Sequence, residues 1–304
     1  MDTIDSKKIF DDISALFPDI DISLNEEMKK HTSFKIGGPA DVFVAPKNEE
    51  EVIGVIEYLK KEDIAYTVIG NGSNLLVADS GIRGCVVCIG KNFSHLSCID
   101  DTIYASAGTL LSRIASVALE NSLTGFEFAS GIPGSLGGAI VMNAGAYGGE
   151  MKDVIVTTKY IDTDGNIKKC TRTEHEFLYR HSRFKNGEII LSSSIKLTKG
   201  NKNEIKDTMA DLALRRKEKQ PIELPSAGST FKRPEGYFAA KLIDDAGLRG
   251  YRTGDAMVSE KHCGFVVNMG NATFEDVSNL IAHIQNVVYE KFGVKLETEV
   301  KILK

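Results

Sequence analysis

Between Ser130 and Gly149 the chain reads SGIPGSLGGAIVMNAGAYGG, with seven glycines in twenty residues and no charged side chain. Glycine reaches φ > 0 without a clash, so tight turns account for some of these. They do not account for the density, because each glycine in regular structure costs roughly 0.5–1 kcal/mol relative to alanine. A run this bare is expected where something approaches the main chain closely, either another backbone or a phosphate-bearing ligand cradled by N–H groups. Three shorter loops share the character: IGGPA (36–40), GNGSN (70–74) and SAGSTFK (226–232). GNGSN follows the apolar run AYTVIG. Its successive N–H groups form a candidate anion nest, with Ser73 and Asn74 as added donors. The same residues also read as an ordinary turn. Neither a P-loop nor a dinucleotide fingerprint at a strand-to-helix junction is present. Any phosphate here is therefore held by loops and not by a Rossmann-type helix start.

The elements that position these loops alternate through the first half. Residues 6–17 place Ile9, Phe10, Ile13, Leu16 and Phe17 on one helical face. DVFVAP reads as a strand closed by Pro46. Asn48 then caps a helix, with Glu51 in capping-box position and Val52, Ile53, Val55, Ile56 and Leu59 on its apolar side. AYTVIG and TIYASAG are strands, LLVA is a further apolar segment, and Thr109 is the expected cap of a helix ending near Gly125. After the long glycine stretch, hairpins are expected around Asp164-Gly165 and around Asn186-Gly187. A charged helix over 202–219 stops at Pro221. In the last hundred residues YFAAKLIDDAG is a short helix and CGFVVNMG a strand. Thr273 and Asp276 open a long helix that runs to Gly293, with Phe274, Val277, Leu280, Ile281, Ile284, Val287 and Val288 inward. KLETEVKIL reads as an alternating strand, with Glu297, Glu299 and Lys301 opposite Leu296, Val300 and Ile302.

Composition narrows the function classes. Of 304 residues 42% are apolar and 26% charged, and the net charge of −5 offers no basic face for nucleic acid. No apolar run approaches the ~18–20 residues of a membrane span, and the acid-bearing MDTIDSKKIFDDISALF lacks the apolar core of a secretory signal. The expectation is a cytoplasmic protein without a membrane partner. Five scattered cysteines do not make a disulfide framework. Cys85 and Cys88 form a C-x-x-C inside an apolar strand, with no second pair at zinc spacing, so they read as buried thiols and no metal site is expected.

GGPADVFVAP, GNGSNLLV, SGIPGSLGGAIVMNAGAYGGE, YRHSRF, KQPIELPSAGSTFKRP, VSEKHCGFVVN and LETEVKIL follow one another in order from about residue 30 to the C-terminus. Together they closely resemble the UDP-N-acetylenolpyruvoylglucosamine reductase family of bacterial peptidoglycan synthesis. No single motif is specific, but the ordered set is. The resemblance implies an α+β chain with an FAD-binding fold of the vanillyl-alcohol-oxidase type. Two α+β subdomains, 1–79 and 80–200, would clasp the cofactor, and a C-terminal α/β domain, 201–304, would hold the substrate. It implies FAD as cofactor, NADPH as hydride donor and UDP-N-acetylglucosamine enolpyruvate as substrate.

The resemblance also implies residue roles. Gly70, Asn71, Gly72, Ser73, Asn74, Ser130, Ile132, Gly134, Ser135, Gly138, Asn143, Gly145 and Ala146 would contact FAD. Ser229 would deliver a proton, Arg180 would stabilise the enolate oxygens, and Glu299 would share a hydrogen bond with the intermediate. Lys219 and Arg233 would meet the substrate. On pattern alone Ser229 is a turn residue, Arg180 a surface charge with Arg183 as confounder, and Glu299 an exposed strand residue. RFKNGEIIL turns back directly after YRHS, which resembles the subgroup lacking an inserted tyrosine loop. Two other readings remain open at this point. One is a different FAD oxidase or dehydrogenase of the same fold. The other is a non-catalytic nucleotide-sugar binding protein.

Overall fold

The computed structural model describes residues 5–304, which form two compact units. The first comprises residues up to Leu24, Val42–Asn71 and Arg83–Arg215; the second comprises Asn25–Asp41, Gly72–Ile82 and Arg216–Lys304. Each has its own hydrophobic core. That of the first runs from Ile9 and Ile13 through Val52, Leu59, Val87, Ile103, Ile114 and Leu136 to Leu191 and Leu197. That of the second gathers Phe34, Leu76, Phe231, Ile243, Val258, Val266 and the inner face of the last helix.

In the first unit, Asp5 caps the helix Ser6–Leu16, which buries Ile9 and Ile13 but leaves Leu16 exposed. Asn48 caps Glu49–Lys61 by accepting from the Glu51 N–H, and Val52, Val55, Ile56 and Leu59 are buried as expected. A four-stranded sheet has the order Asp21–Glu27, Pro39–Ala45, Ile82–Cys88, Tyr66–Ile69, with the last two parallel. The second sheet is five-stranded and antiparallel, in the order Ile167–Thr171, Ile155–Ile161, Ile189–Lys196, Thr102–Ser106, Leu96–Ile99. The hairpin at Asp164-Gly165 forms, with Ile161 opposite Ile167 and Gly165 at φ 96°.

Two expectations for this unit fail. Thr109 is not a helix cap: its hydroxyl donates to the His95 carbonyl, and the helix begins after Leu110 and ends at Glu120. Asn186-Gly187 is not a hairpin turn. Arg183–Asn186 is a turn of 3-10 helix stopped by Gly187 at φ 101°, because burying Phe184 against Tyr160 and His175 fixes the chain there. Ile189–Lys196 then runs as one strand between two neighbours.

In the second unit the strands Arg252–Thr253, Ala256–Val258 and Val266–Asn268 form a small antiparallel sheet. The helix Phe274–Phe292 opens on a capping box of Thr273 and Asp276 and ends at Gly293 in the left-handed region. Val277, Leu280, Ile281, Ile284 and Val288 are buried along it. The closing segment is not one alternating strand. Thr298 makes an isolated antiparallel bridge to Phe231, and only Lys301–Leu303 is a strand, parallel to Leu75–Val77. The change of partner turns the chain, so Leu296 and Val300 are buried while Ile302 is 40% exposed. Lys202–Lys219, most of which belongs to the first unit, is a helix that buries only Ile205 among its 18 residues. Among the described residues no helix is long and apolar enough to cross a membrane.

Candidate functional site

Most of the glycine density answers to close approach by the protein's own atoms. A Cβ on Gly137 would sit 2.9 Å from the Ala107 Cβ, where the Gly137 N–H donates to the Ala107 carbonyl at 2.8 Å. One on Gly149 would meet the Phe128 ring at 2.6 Å, and one on Gly145 would meet the Glu150 Cγ at 2.7 Å. Gly148 turns the tip of the Gly145–Ala146/Gly149–Glu150 pair at φ 90°. Gly72, at φ 62°, has no room for a side chain against the His31 carbonyl.

Gly70 and Gly138 are different. A Cβ on Gly70 would lie 2.6 Å from the Ser135 Oγ, and on Gly138 only that same oxygen comes within 4.0 Å. Ser135 begins the short helix Leu136–Val141, yet its hydroxyl caps nothing; it is buried and has no hydrogen-bond partner. A buried hydroxyl left unpaired costs about 1–3 kcal/mol, so such a group needs an explanation. Bare backbone at 70 and 138 converging on an unpaired hydroxyl fits an oxygen-rich cofactor such as FAD. Other expected cofactor residues also make contacts within the protein. The Ser130 hydroxyl donates to the Glu127 carbonyl, Ile132 packs on the core, and the Asn71 amide donates to the Pro133 carbonyl at 3.0 Å. Gly134 accepts from the Leu111 N–H at 3.0 Å, and Gly145 and Ala146 lie in the two-residue strand pair.

Arg180 lies at the tip of a turn closed by two backbone hydrogen bonds between Leu178 and His181. Its φ of 53° is uncommon for a non-glycine residue and marks a constrained position. Its guanidinium donates to the Gly145 carbonyl at 3.4 Å and stands 5.1 Å from the Tyr179 ring. Arg183 pairs with Glu188 at 2.9 Å and lies over the Tyr160 ring, so its charge is used where it stands.

Ser229 and Glu299 are brought together in the second unit. Gly228, at φ 74°, turns the chain into Ser229, whose half-buried hydroxyl has no partner among the described residues. The adjacent Thr230 is buried and ties three segments. Its carbonyl accepts from the Glu299 N–H at 2.8 Å, its N–H donates to Gly264, and its hydroxyl accepts from the Val266 N–H at 3.0 Å. Asn74 joins from the GNGSN loop, donating to the Glu299 carbonyl at 3.0 Å while its own carbonyl accepts from Lys301. Thr230 escaped the sequence reading, because a buried threonine beside a candidate serine has no distinguishing pattern. Glu297 is 73% exposed and pairs with Lys232 at 2.6 Å; Glu299 is half-buried.

The expected substrate residues lie on the surface. Lys219 is the exposed last residue of its helix. Arg233 is exposed, stacked 3.9 Å above the Phe238 ring, and donates through Nε to the Tyr237 carbonyl. His262 accepts from the Gly264 N–H through Nδ1, and burial pushes its pKa down, so it is a local structural group. The Asn268 amide is spent on Phe34, Gly270 and Ala272. Among the described residues no cluster can hold a metal ion. The C-x-x-C thiols are free; burial pushes Cys85 up to about 12 and Cys88 up to about 11.

Two family models match the chain. Residues 40–171 match an FAD binding domain, and residues 220–303 match the C-terminal domain of UDP-N-acetylenolpyruvoylglucosamine reductase. The chain is 55% identical over 296 residues to the UDP-N-acetylenolpyruvoylglucosamine reductase of Caldanaerobacter subterraneus subsp. tengcongensis, covering 97% of this chain and 98% of that one. It is 54% identical to that of Clostridioides difficile, covering 93% of each. The crystal structure of the Thermus caldophilus UDP-N-acetylenolpyruvylglucosamine reductase superposes with a TM-score of 0.79 at 35% identity, over 94% of this chain and 99% of that one.

Proposed function

The chain belongs to the UDP-N-acetylenolpyruvoylglucosamine reductase family, and we propose that Ser229, Glu299 and Arg180 divide its chemistry between them. The protein is an FAD-dependent oxidoreductase of peptidoglycan synthesis, with the vanillyl-alcohol-oxidase type of cofactor fold. It reduces UDP-N-acetylglucosamine enolpyruvate to UDP-N-acetylmuramate with NADPH as hydride donor. Bound FAD would supply the hydride chemistry that links NADPH to the CH2 carbon of the enolpyruvyl ether. Gly70, Asn71, Ser135 and Gly138 are the residues that would hold it, Ser135 through its unpaired hydroxyl.

Once the CH2 carbon has gained hydride, negative charge develops on the neighbouring carbon and spreads into the substrate carboxylate. Three things are then needed from the protein. Arg180 supplies positive charge and N–H donors for the enolate oxygens. Ser229 supplies the proton to the charged carbon. A serine hydroxyl is a very weak acid, and it serves because the developing carbanion is a far stronger base. Glu299 shares a hydrogen bond with the intermediate. In this reading Lys219 meets the substrate phosphates and Arg233 is a further substrate-binding residue; residues from about 201 onward form the substrate domain, and 1–79 and 80–200 form the FAD-binding parts. The match of residues 220–303 to a C-terminal domain supports a separate substrate domain. We place the protein in the cytoplasm, where nucleotide-linked sugars and NADPH are available.

The observation that carries the reading is the backbone tie at Thr230, which fixes the Ser229 loop and the Glu299 segment to each other. The test is anaerobic. Flavin in the purified protein is reduced with NADPH, the enolpyruvyl substrate is added, and the flavin absorbance is followed. Rapid reoxidation with formation of the lactyl ether is expected. Flavin that stays reduced until oxygen enters would replace this reading with that of an oxidase.

A further inference from the structure

Asn143 was expected to face the cofactor, and its hydrogen bonds point elsewhere. It is fully buried. Its amide nitrogen donates to the Leu178 carbonyl at 3.0 Å and to Glu150 Oε2 at 3.2 Å. Its Oδ1 accepts from the Lys152 N–H at 2.9 Å. An asparagine amide has two N–H donors, and both are committed inside the protein. The residue sits at φ 42°, a conformation asparagine tolerates better than other non-glycine residues.

The important partner is Leu178. It opens the turn whose tip is Tyr179-Arg180, and it exchanges both backbone hydrogen bonds with His181 at 3.1 Å. On the other side of the turn Ser182, itself buried, donates to the Val141 carbonyl at 2.9 Å. Arg180 reaches the Gly145 carbonyl at 3.4 Å. The turn is therefore fastened to residues 141–145 at three points. Asn143 makes the fastening at the base of the turn, and the same side chain braces Glu150 and the Lys152 N–H across the glycine-rich strand pair. A side chain held this way sets the guanidinium before any ligand arrives, and preorganisation of this kind lowers the cost of binding.

We propose that Asn143 is a positioning residue that locks the Arg180 turn onto the glycine-rich stretch. The inference rests on Arg180 acting on the substrate, as set out above. It makes Asn143 a brace between the two segments, with no direct part in holding the cofactor.

Asn143→Asp keeps the size, the tolerance of positive φ and the acceptor for Lys152, but it removes both donors and sets a second carboxylate beside Glu150. In flavin-loaded protein, tryptic cleavage between Arg180 and His181 is expected to become roughly 5–30-fold faster, the factor for a loss of one to two kcal/mol. Flavin reduction by NADPH should keep its rate, while reoxidation by the enolpyruvyl substrate slows, with kcat falling more than KM rises. In the double variant with Arg180→Lys, reoxidation should be little slower than in Arg180→Lys alone, because the two changes act through one group. Unchanged cleavage, or losses that simply add, would overturn the proposal. So would loss of flavin with the Arg180 bond cleaved at the wild-type rate, since Asn143 would then be a cofactor ligand. If Asn143→Asp does not fold, amide exchange in the wild type decides. Leu178 and His181 exchanging as slowly as Ala139–Ala144 supports the lock, and exchange at open-loop rates refutes it. Arg180→Lys with unimpaired reoxidation would remove Arg180 from the reaction, while the cleavage result would still decide whether the fastening exists.

Discussion

In the stretch from Ser130 to Gly149 the side chains are short, and nearly every polar atom is spent inside the protein. Asn143 braces Leu178 and Glu150, the Ser130 hydroxyl goes to Glu127, and only the buried Ser135 oxygen is left without a partner. Around Ser229 and Glu299 the arrangement is reversed. There the backbone is spent, through Thr230 and Asn74, and the Ser229 hydroxyl makes no hydrogen bond among the described residues. The first region offers shape, and the second offers functional groups. The difference predicts opposite sensitivities: the glycine-rich region should suffer most when atoms are added, and the Ser229 region when they are taken away.

The largest effect is expected from the smallest deletion. Ser229→Ala removes one oxygen whose hydroxyl makes no hydrogen bond within the described protein, so stability should hardly change. Reduction of flavin by NADPH should proceed as before. Reoxidation by the enolpyruvyl substrate should slow by roughly 10²–10⁴-fold, the usual worth of a general acid. Stopped-flow absorbance separates the two half-reactions. Equal reoxidation rates would take the proton-donor role from Ser229 and leave the second region without its distinguishing function.

The converse test adds one carbon. In Gly70→Ala the new Cβ would stand 2.6 Å from the Ser135 Oγ, the hydroxyl proposed above to meet the cofactor. Overpacking of a tight site costs about 1–3 kcal/mol, so FAD should bind roughly 5–150-fold more weakly, as titration calorimetry would read. Gly165→Ala is the comparison. It sits at positive φ, 96°, as Gly70 does not, and the nearest atom to a Cβ there is the Lys60 Nζ at 3.6 Å. It should strain its hairpin turn without touching flavin affinity. If both variants bind FAD equally well, the cradle at Gly70 does not exist.

Much of this division is visible in the sequence, but unevenly. Asn48, Thr273 with Asp276, and Gly293 announce their helix ends, because capping is a local event that one side chain settles. Thr109 carries the same signature and fails, because a long-range partner, the His95 carbonyl, takes its hydroxyl. Asn186-Gly187 fails as a hairpin because the burial of Phe184 decides the path of the chain. The glycines announce close approach without saying to what. Only three-dimensional neighbours separate Gly137, which answers to Ala107, from Gly138, which faces the Ser135 hydroxyl. Asn143 and Thr230 gave no signal of their roles, since a saturated amide or hydroxyl looks the same in sequence as a free one.

The smallest expected effect sharpens the comparison within one short segment. Glu297 and Glu299 are two apart, and a regular strand would place both on the same face. The structure separates them. The bridge at Thr298 and the change of partner before Lys301 leave Glu297 73% exposed, paired with Lys232, and Glu299 half-buried beside the Ser229 loop. Glu297→Gln should therefore cost at most about 1 kcal/mol, the ordinary value of an exposed ion pair, with that loss reduced by salt. Both half-reactions should keep their rates. Glu299→Gln, which keeps shape and removes the charge, should slow flavin reoxidation and leave reduction by NADPH alone. Paired measurements on the two variants decide whether the second region works through particular groups or through its acidity as a whole. Equal slowing of reoxidation by both would favour a general electrostatic field over a positioned carboxylate, and the contrast with the glycine-rich region would then be one of charge, with no special part for Glu299.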